Sequence, residues 1–273
     1  MAATKSPLQR LFTWLWRRPW FRRLFYNSIG FAFRGQRHWR MMNCGWTPPD
    51  APLPSSLANE ELNRALYLRV VGDTPLADRQ VLEVGAGRGG GCSFLHEHFR
   101  PSRMVGLDYA GASARWCQRH FSRPGLEFLA GDALHTPFPA ASFDAVICVE
   151  LTHCVPDKPA FLREMARVLA SGGTLLVADF FYRRPDAAHA LGKFQEAIAT
   201  SDFVLLAEED LTAGVLAAMR ADGARRDEMI QSSVPRPFRK VAHYFGGTTE
   251  SSTYAGLAAG RAVYLRFALR RKP

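Results

Sequence analysis

The sequence predicts an α/β protein built on a doubly wound, mostly parallel sheet. Three observations carry that prediction. From Leu57 onward, short apolar runs alternate with amphipathic stretches of roughly ten to fifteen residues, the pattern of repeated strand–helix–strand units. One run passes straight from Val81-Leu82-Glu83-Val84 into Gly85-Ala86-Gly87-Arg88-Gly89-Gly90-Gly91, a strand–turn–helix junction. Finally, 47% of the 273 residues are hydrophobic, enough to bury a full core, which excludes a disordered or fibrous chain.

In chain order, strands are expected at Gln80–Val84, Met104–Leu107, Leu126–Leu129, Phe143–Val149, Thr174–Ala178, Phe203–Ala207 and Ala262–Leu269. Helices are expected at Glu60–Val71, Cys92–Phe99, Ala112–Phe121, Pro159–Leu169 and Asp186–Thr200, where apolar residues recur at helical spacing. Residues 209–260 fit no strand–helix unit and read as a mostly helical insert. Placed before the last strand, such an insert overhangs the carboxyl edge of the sheet, where open α/β folds bind ligands, and reads as a substrate-covering lid. The chain therefore divides into an arm, residues 1–50, and a domain, residues 51–273, that carries the lid.

The arm stands apart by charge. The whole chain carries 35 Lys and Arg against 25 Asp and Glu, but nine basic residues precede the first acidic one, Asp50. The remaining 26 basic residues nearly balance the 25 acidic ones, so the excess belongs to the arm. Trp14, Trp16, Trp20, Phe21, Phe25 and Trp39 are interleaved with its arginines, and Pro19 breaks it into two short helices. Residues 8–40 thus suit the surface of an anionic membrane. A helical cover over the core, a transit peptide and a nucleic-acid contact are the competing readings. No uncharged run reaches the ~20 residues of a membrane span. Five cysteines without a C-x-x-C pair read as buried thiols of a reducing, cytoplasmic setting, with peripheral membrane contact through the arm. No metal-ligand pattern is present, and the signatures H-E-x-x-H, G-x-S-x-G and G-x-x-x-x-G-K-[ST] are absent.

Gly85, Gly87 and Gly90 let the backbone turn tightly and lie against a ligand that a Cβ would repel. The next strand ends in Gly106-Leu107-Asp108, placing a carboxylate where it takes both hydroxyls of a ribose. These two features indicate a nucleoside and leave nicotinamide and S-adenosylmethionine open. Glu83, two residues before the loop, completes an E-x-G-x-G pattern similar to that of S-adenosylmethionine-dependent methyltransferases. Gly131-Asp132-Ala133 follows the third strand, and Pro137-Phe138-Pro139-x-x-Ser142-Phe143-Asp144 leads into the fourth, as in many class I members of that superfamily.

The run Gly89-Gly90-Gly91, the turn Val149-Glu150-Leu151-Thr152-His153-Cys154 and the stretch Met41-Met42-Asn43-Cys44-Gly45-Trp46 resemble the phthiotriolone/phenolphthiotriolone dimycocerosate methyltransferase group. The resemblance extends to the basic arm and to the Gly260…Tyr264 ending, and departs at Ala86 and Arg88, where the group has cysteine and often histidine. It implies a Rossmann-like, seven-stranded methyltransferase fold whose last strand is antiparallel. It implies S-adenosylmethionine as cofactor and S-adenosylhomocysteine as product. The cofactor residues are then Glu83, Gly85, Ala86, Gly87, Asp108, Tyr109, Gly131, Asp132, Ala133 and Glu150, with Trp46 stacking there or anchoring the arm. Arg88 is expected near the methionine end.

Methyl transfer to a hydroxyl needs a base, whereas a carboxylate acceptor needs none. In related sugar and polyketide O-methyltransferases a histidine after the fourth strand is that base and an aspartate ending the fifth strand assists it. The matching residues here are His153 and Asp179. The expected reaction is O-methylation of a hydrophobic polyketide, lipid or other secondary metabolite. Carboxyl or carbon methylation, or a cyclase on the same scaffold, are the alternatives. A nucleic-acid methyltransferase is disfavoured, because neither N-P-P-Y nor D-P-P-F follows the fourth strand. His96, His98, His120 and His135 are expected in solvent, away from this edge.

Overall fold

A computed structural model describes Asn27 and residues 40–50, 60–236, 239, 242–243 and 246–273. The arm's two expected helices and its membrane face at residues 8–40 therefore lie almost wholly outside the described residues. Seven helices are described: α1 (Glu61–Val71), α2 (Gly90–Phe99), α3 (Gly111–Phe121), α4 (Lys158–Val168), α5 (Leu191–Ala199), α6 (Thr212–Ser233) and α7 (Ser252–Ala258). The strands are β1 (Gln80–Val84), β2 (Arg103–Asp108), β3 (Leu126–Ala130), β4 (Phe143–Val149), β5 (Leu169–Tyr182), β6 (Phe203–Asp210) and β7 (Ala262–Arg271).

They form one sheet in the order β3-β2-β1-β4-β5-β7-β6. The ladders from β3 through β5 are parallel, and β7 runs antiparallel to both β5 and β6. The strand order reverses between β1 and β4, and β1, β2 and β4 carry to one edge the residues that the sequence singled out.

Side-chain alternation divides the core between the two faces of the sheet. Val81, Ile147 and Leu176 face a cluster that includes Leu66 of α1, Cys92 of α2 and Val215 of α6. Leu82, Val146 and Val177 face the opposite cluster, with Phe161 of α4 and Phe194 of α5. The helices bury one face, which in α6 includes the Asp222–Arg226 pair, and two of them carry side-chain caps. At α4, for example, the Asp157 carboxylate accepts the Ala160 N–H at 2.8 Å, a cap typically worth ~1 kcal/mol.

Two elements differ from the sequence expectation for tertiary reasons. The fifth strand runs to Tyr182, because β7 pairs with it as far as Tyr182–Ala262, a partner that local pattern does not reveal. The expected helix 186–200 begins only at Leu191. The Tyr182 N–H bonds to the His189 carbonyl, and Tyr182 bridges Ala190 in parallel, so Ala190 is extended and the helix cannot start before it.

The insert 209–260 starts later than expected, since Glu209 and Asp210 still belong to β6. Its long helix, α6, packs over a strap, residues 40–47. The carbonyl of Gly214 accepts the Thr47 N–H, and Arg226 donates to the Asn43 and Gly246 carbonyls while paired with buried Asp222. Among the described residues no helix is long and apolar enough to cross a membrane.

Candidate active site

The ligand-facing edge is assembled by backbone and carboxylate bonds among the tips of β1, β2 and β3. Gly85 and Ala86 donate to the Leu107 carbonyl, Gly87 donates to Asp108 Oδ2 at 2.8 Å, and Gly131 donates to the Asp108 carbonyl. Asp108 Oδ1 accepts the Ala110 N–H at 2.8 Å, so this carboxylate clamps the loop onto the start of α3. Burial pushes Asp108 up to about 6, against the pull of the two N–H donors. Gly87 has φ +54°, and a Cβ there would find no neighbouring atom nearer than 3.9 Å. The loop thus offers both a glycine conformation and free space where a ligand can lie.

Gly85, Ala86, Gly87, Asp108 and Gly131 are thereby brought together, with half-buried Tyr109 beside them. Asp132 and Ala133 follow in a turn in which Asp132 accepts the Leu134 N–H on its side chain and the His135 N–H on its carbonyl.

Glu83 lies beneath the loop. Its Oε1 accepts Tyr67 Oη–H at 2.6 Å and its Oε2 accepts the Cys92 thiol at 2.7 Å. Burial lifts it to about 7, while those two donors favour its charge.

The strap reaches the glycine loop at Arg40 and Met42. Arg40 accepts the Gly90 N–H on its carbonyl, and the Met42 sulfur is 4.0 Å from where a Gly87 Cβ would project. The Trp46 ring instead lies against Gly214, so close that a Cβ there would be 2.2 Å from its Nε1, and under the Arg69 guanidinium at 5.6 Å. That placement favours anchoring over stacking on a cofactor. Arg88, expected near the methionine end, is buried with its guanidinium 4.4 Å from the Trp116 ring. Of the four surface histidines, His98, His120 and His135 are exposed, and His96 is half-buried beside Arg123.

Glu150, one residue past β4, holds a left-handed φ of +52°. Its N–H bonds to the Ala178 carbonyl, and its Oε1 accepts the Cys44 N–H at 2.7 Å and the Tyr264 hydroxyl at 3.0 Å. Glu150 therefore ties the strap to β7 across the site.

The chemistry-bearing pair lies beside it. Thr152–Cys154 forms a 3₁₀ turn, whose Thr152 and Val155 carbonyls accept from buried Lys158 Nζ. His153 Nδ1 is 3.0 Å from Asp179 Oδ1 and 3.2 Å from Oδ2. Asp179 is fully buried and also accepts Thr152 Oγ1–H at 2.7 Å, the His153 N–H at 3.0 Å and the Phe180 N–H at 2.8 Å. Asp179 does not end β5, but it stands one residue beyond the last β4–β5 pair, Val149–Ala178.

Burial disfavours charge on both partners. Their attraction outweighs it, holding Asp179 below the usual carboxylate range and raising His153 well above the usual imidazole range. An ionised carboxylate only accepts, so Nδ1 carries the proton and a neutral His153 keeps its Nε2 lone pair. The side chain is 27% exposed. An imidazole of this kind is oriented, reachable and able to take a proton.

A residue that sequence reasoning missed is His189. It is 4% exposed, stacked on Phe181 at 4.4 Å, and its Nε2 is 3.9 Å from Asp179 Oδ2. Burial pushes it down to about 4 despite that carboxylate, so it stays neutral and leaves Asp179 to His153. Nothing local marked it, since it lay inside an expected helix. Among the described residues no group of three or more His, Cys, Asp or Glu is placed to hold a metal ion.

The chain is similar to known methyltransferases. A family model described as a methyltransferase domain matches residues 82–177. The phthiotriol/phenolphthiotriol dimycocerosates methyltransferase of Mycobacterium leprae is 34% identical over 219 residues, 79% of either chain. A fatty-acid O-methyltransferase of Mycolicibacterium smegmatis is 34% identical over 202 residues, 73% of this chain and 71% of that one. Among solved structures, the cyclase SpnF superposes with a TM-score of 0.70 at 17% identity, covering 91% of this chain and 94% of that one. A putative sarcosine dimethylglycine methyltransferase from Galdieria sulphuraria does so at 0.70 and 16%, covering 90% and 98%.

Proposed function

The chain belongs to the phthiotriol/phenolphthiotriol dimycocerosates methyltransferase family, and on that premise we propose that it is an O-methyltransferase acting on a hydroxyl of an apolar polyketide or lipid. S-adenosylmethionine, when bound, supplies a methyl group on a sulfonium, which leaves S-adenosylhomocysteine. The chain's own residues bind, align and move one proton.

Asp108 accepts the ribose hydroxyls, the Gly85–Gly87 backbone lies along the ligand, and Gly131, Asp132 and Ala133 meet the adenine. Tyr109 flanks this site. Glu83 supports the loop from below, and Glu150 keeps the strap closed over it. His153 Nε2 removes the acceptor's proton, and Asp179 stabilises the imidazolium that results. α6 and α7 cover the acceptor as a lid. Phe180, whose ring is 4.7 Å from that of His153, forms an apolar wall beside the base with partly buried Tyr182.

The observation that carries this reading is the His153–Asp179 pair, with Nδ1 committed to a buried carboxylate. A carboxylate acceptor would have no use for it as a base. One relative is nevertheless called a fatty-acid O-methyltransferase, and a charged His153 would attract a carboxylate. The two readings separate on a matched acceptor pair. A long-chain secondary alcohol or phenol is expected to take labelled methyl from S-adenosylmethionine, and the long-chain acid of equal length to take little. The reverse preference would replace the hydroxyl reading by the carboxyl one.

Asp108→Ala tests the cofactor site separately. Removing the carboxylate is expected to weaken S-adenosylhomocysteine binding by ~1.5–3 kcal/mol, the scale for hydrogen bonds to a charged group. Calorimetry showing unchanged affinity would take Asp108 out of that role.

A further inference from the structure

The open edge of the sheet is as unusual as the site. Among the described residues β6 pairs only with β7, and every residue from Val204 to Glu208 is exposed. Val204, Leu205 and Leu206 are 47%, 46% and 45% exposed, three consecutive apolar side chains on an edge strand. Such an edge invites association, and natural proteins usually blunt it with charge or cover it. We infer that this edge is a self-association surface on which a second copy of the chain seats, related by a two-fold axis.

Two features favour a second copy, and a third sets the kind of contact it makes. A groove of about 170 Å³ opens beside the strand, lined by Ile198, Ala199, Phe203, Leu205 and Phe267, with Gln195 hydrogen-bonded to Glu208 at its rim. A two-fold axis sets the groove of each copy, with Leu205 in its wall, against the exposed strand of the other.

Charge order along the edge is also self-complementary. Phe203 and Val204 pair with Arg271 and Arg270, and Lys272 follows them, whereas the other end of β6 carries Glu208 and Asp210, with Glu209 between them already paired with Arg69. Antiparallel seating lays the acidic end of one copy beside the basic end of the other.

Lastly, the register moves from Leu205–Leu269 to Ala207–Ala268, so Leu206 is a bulged residue. A bulge interrupts a continuous ladder between copies. The contact therefore rests on side chains fitted into the groove.

Sedimentation velocity on the full chain over ~1–100 µM tests this, a range that brackets the micromolar affinity of ordinary transient interfaces. The expected result is the mass of two chains at the upper end. Leu205→Lys with Leu206→Lys is expected to weaken the dimer at least tenfold while S-adenosylhomocysteine binding and turnover stay at wild-type values. A single-chain mass throughout overturns the inference, as does a dimer indifferent to the lysines. So does a monomer that sediments with phosphatidylcholine vesicles through these leucines. Should the lysine variant fail to fold, hydrogen exchange on the wild-type chain decides. Slower exchange at residues 204–209 with rising protein concentration supports the dimer, and concentration-independent exchange overturns it.

Discussion

His153→Ala is expected to lower turnover on a hydroxyl acceptor by ~10²–10⁴, the usual contribution of a positioned general base. Affinity for S-adenosylhomocysteine is expected to stay within about twofold, a negligible energy on the 1.4 kcal/mol-per-decade scale. The split follows from where the imidazole's bonds go. Its Nδ1 and backbone N–H are both committed to Asp179, and neither reaches the glycine loop or Asp108. Losing the ring therefore removes a proton acceptor and leaves the cofactor clamp intact. Equal losses in binding and turnover would make His153 a structural residue of the turn. Unchanged turnover would remove it from the reaction.

Asp179→Asn is expected to cost as much or more, on the order of 10³–10⁴ in turnover, because it alters which nitrogen carries the proton. An ionised Asp179 accepts four kinds of donor: the Thr152 hydroxyl, the His153 and Phe180 N–H groups, and His153 Nδ1–H. An amide has one oxygen and two N–H donors, so a donor is turned toward a donor wherever its nitrogen sits. His153 then loses the partner that both fixes its tautomer and stabilises its imidazolium.

The same pair leaves a mark on stability. Asp179 is held below its ordinary value, so its contribution is present above the unfolded carboxylate range and is lost as pH falls. His153 is raised, so its contribution is full below the unfolded imidazole pKa and is lost as pH rises through the folded one. Melting curves of wild type and Asp179→Asn are thus expected to lie furthest apart between the two ranges. They should converge in strong acid, where Asp179 is protonated in either state.

Much of this was legible in the sequence because it is local. The strand before Gly85, the carboxylate at Asp108 and the turn Glu150–His153 are contiguous signals, and the structure assembles them at one edge. What the sequence concealed depends on partners distant in the chain. Glu83 reads as a cofactor residue by spacing, yet its oxygens are taken by Tyr67 and Cys92 beneath the loop. Trp46 reads as stacking or anchoring, and only the close approach of α6 at Gly214 shows what its ring packs against. His189 lay within an amphipathic stretch that reads as helix. Pairing of residues 189–190 with the end of β5 instead carries it to Asp179. The open β6 edge was equally hidden, since Val204-Leu205-Leu206 reads as any buried parallel strand.

The pH dependence of kcat/KM with a hydroxyl acceptor tests most directly whether His153 is the base. With His153 as base, kcat/KM is expected to rise with pH along a limb whose midpoint lies above the ordinary imidazole value of ~6.5, because Asp179 favours the charged ring. That limb should vanish from the residual activity of His153→Ala. A flat profile, or one that falls as pH rises through the same range, would contradict it.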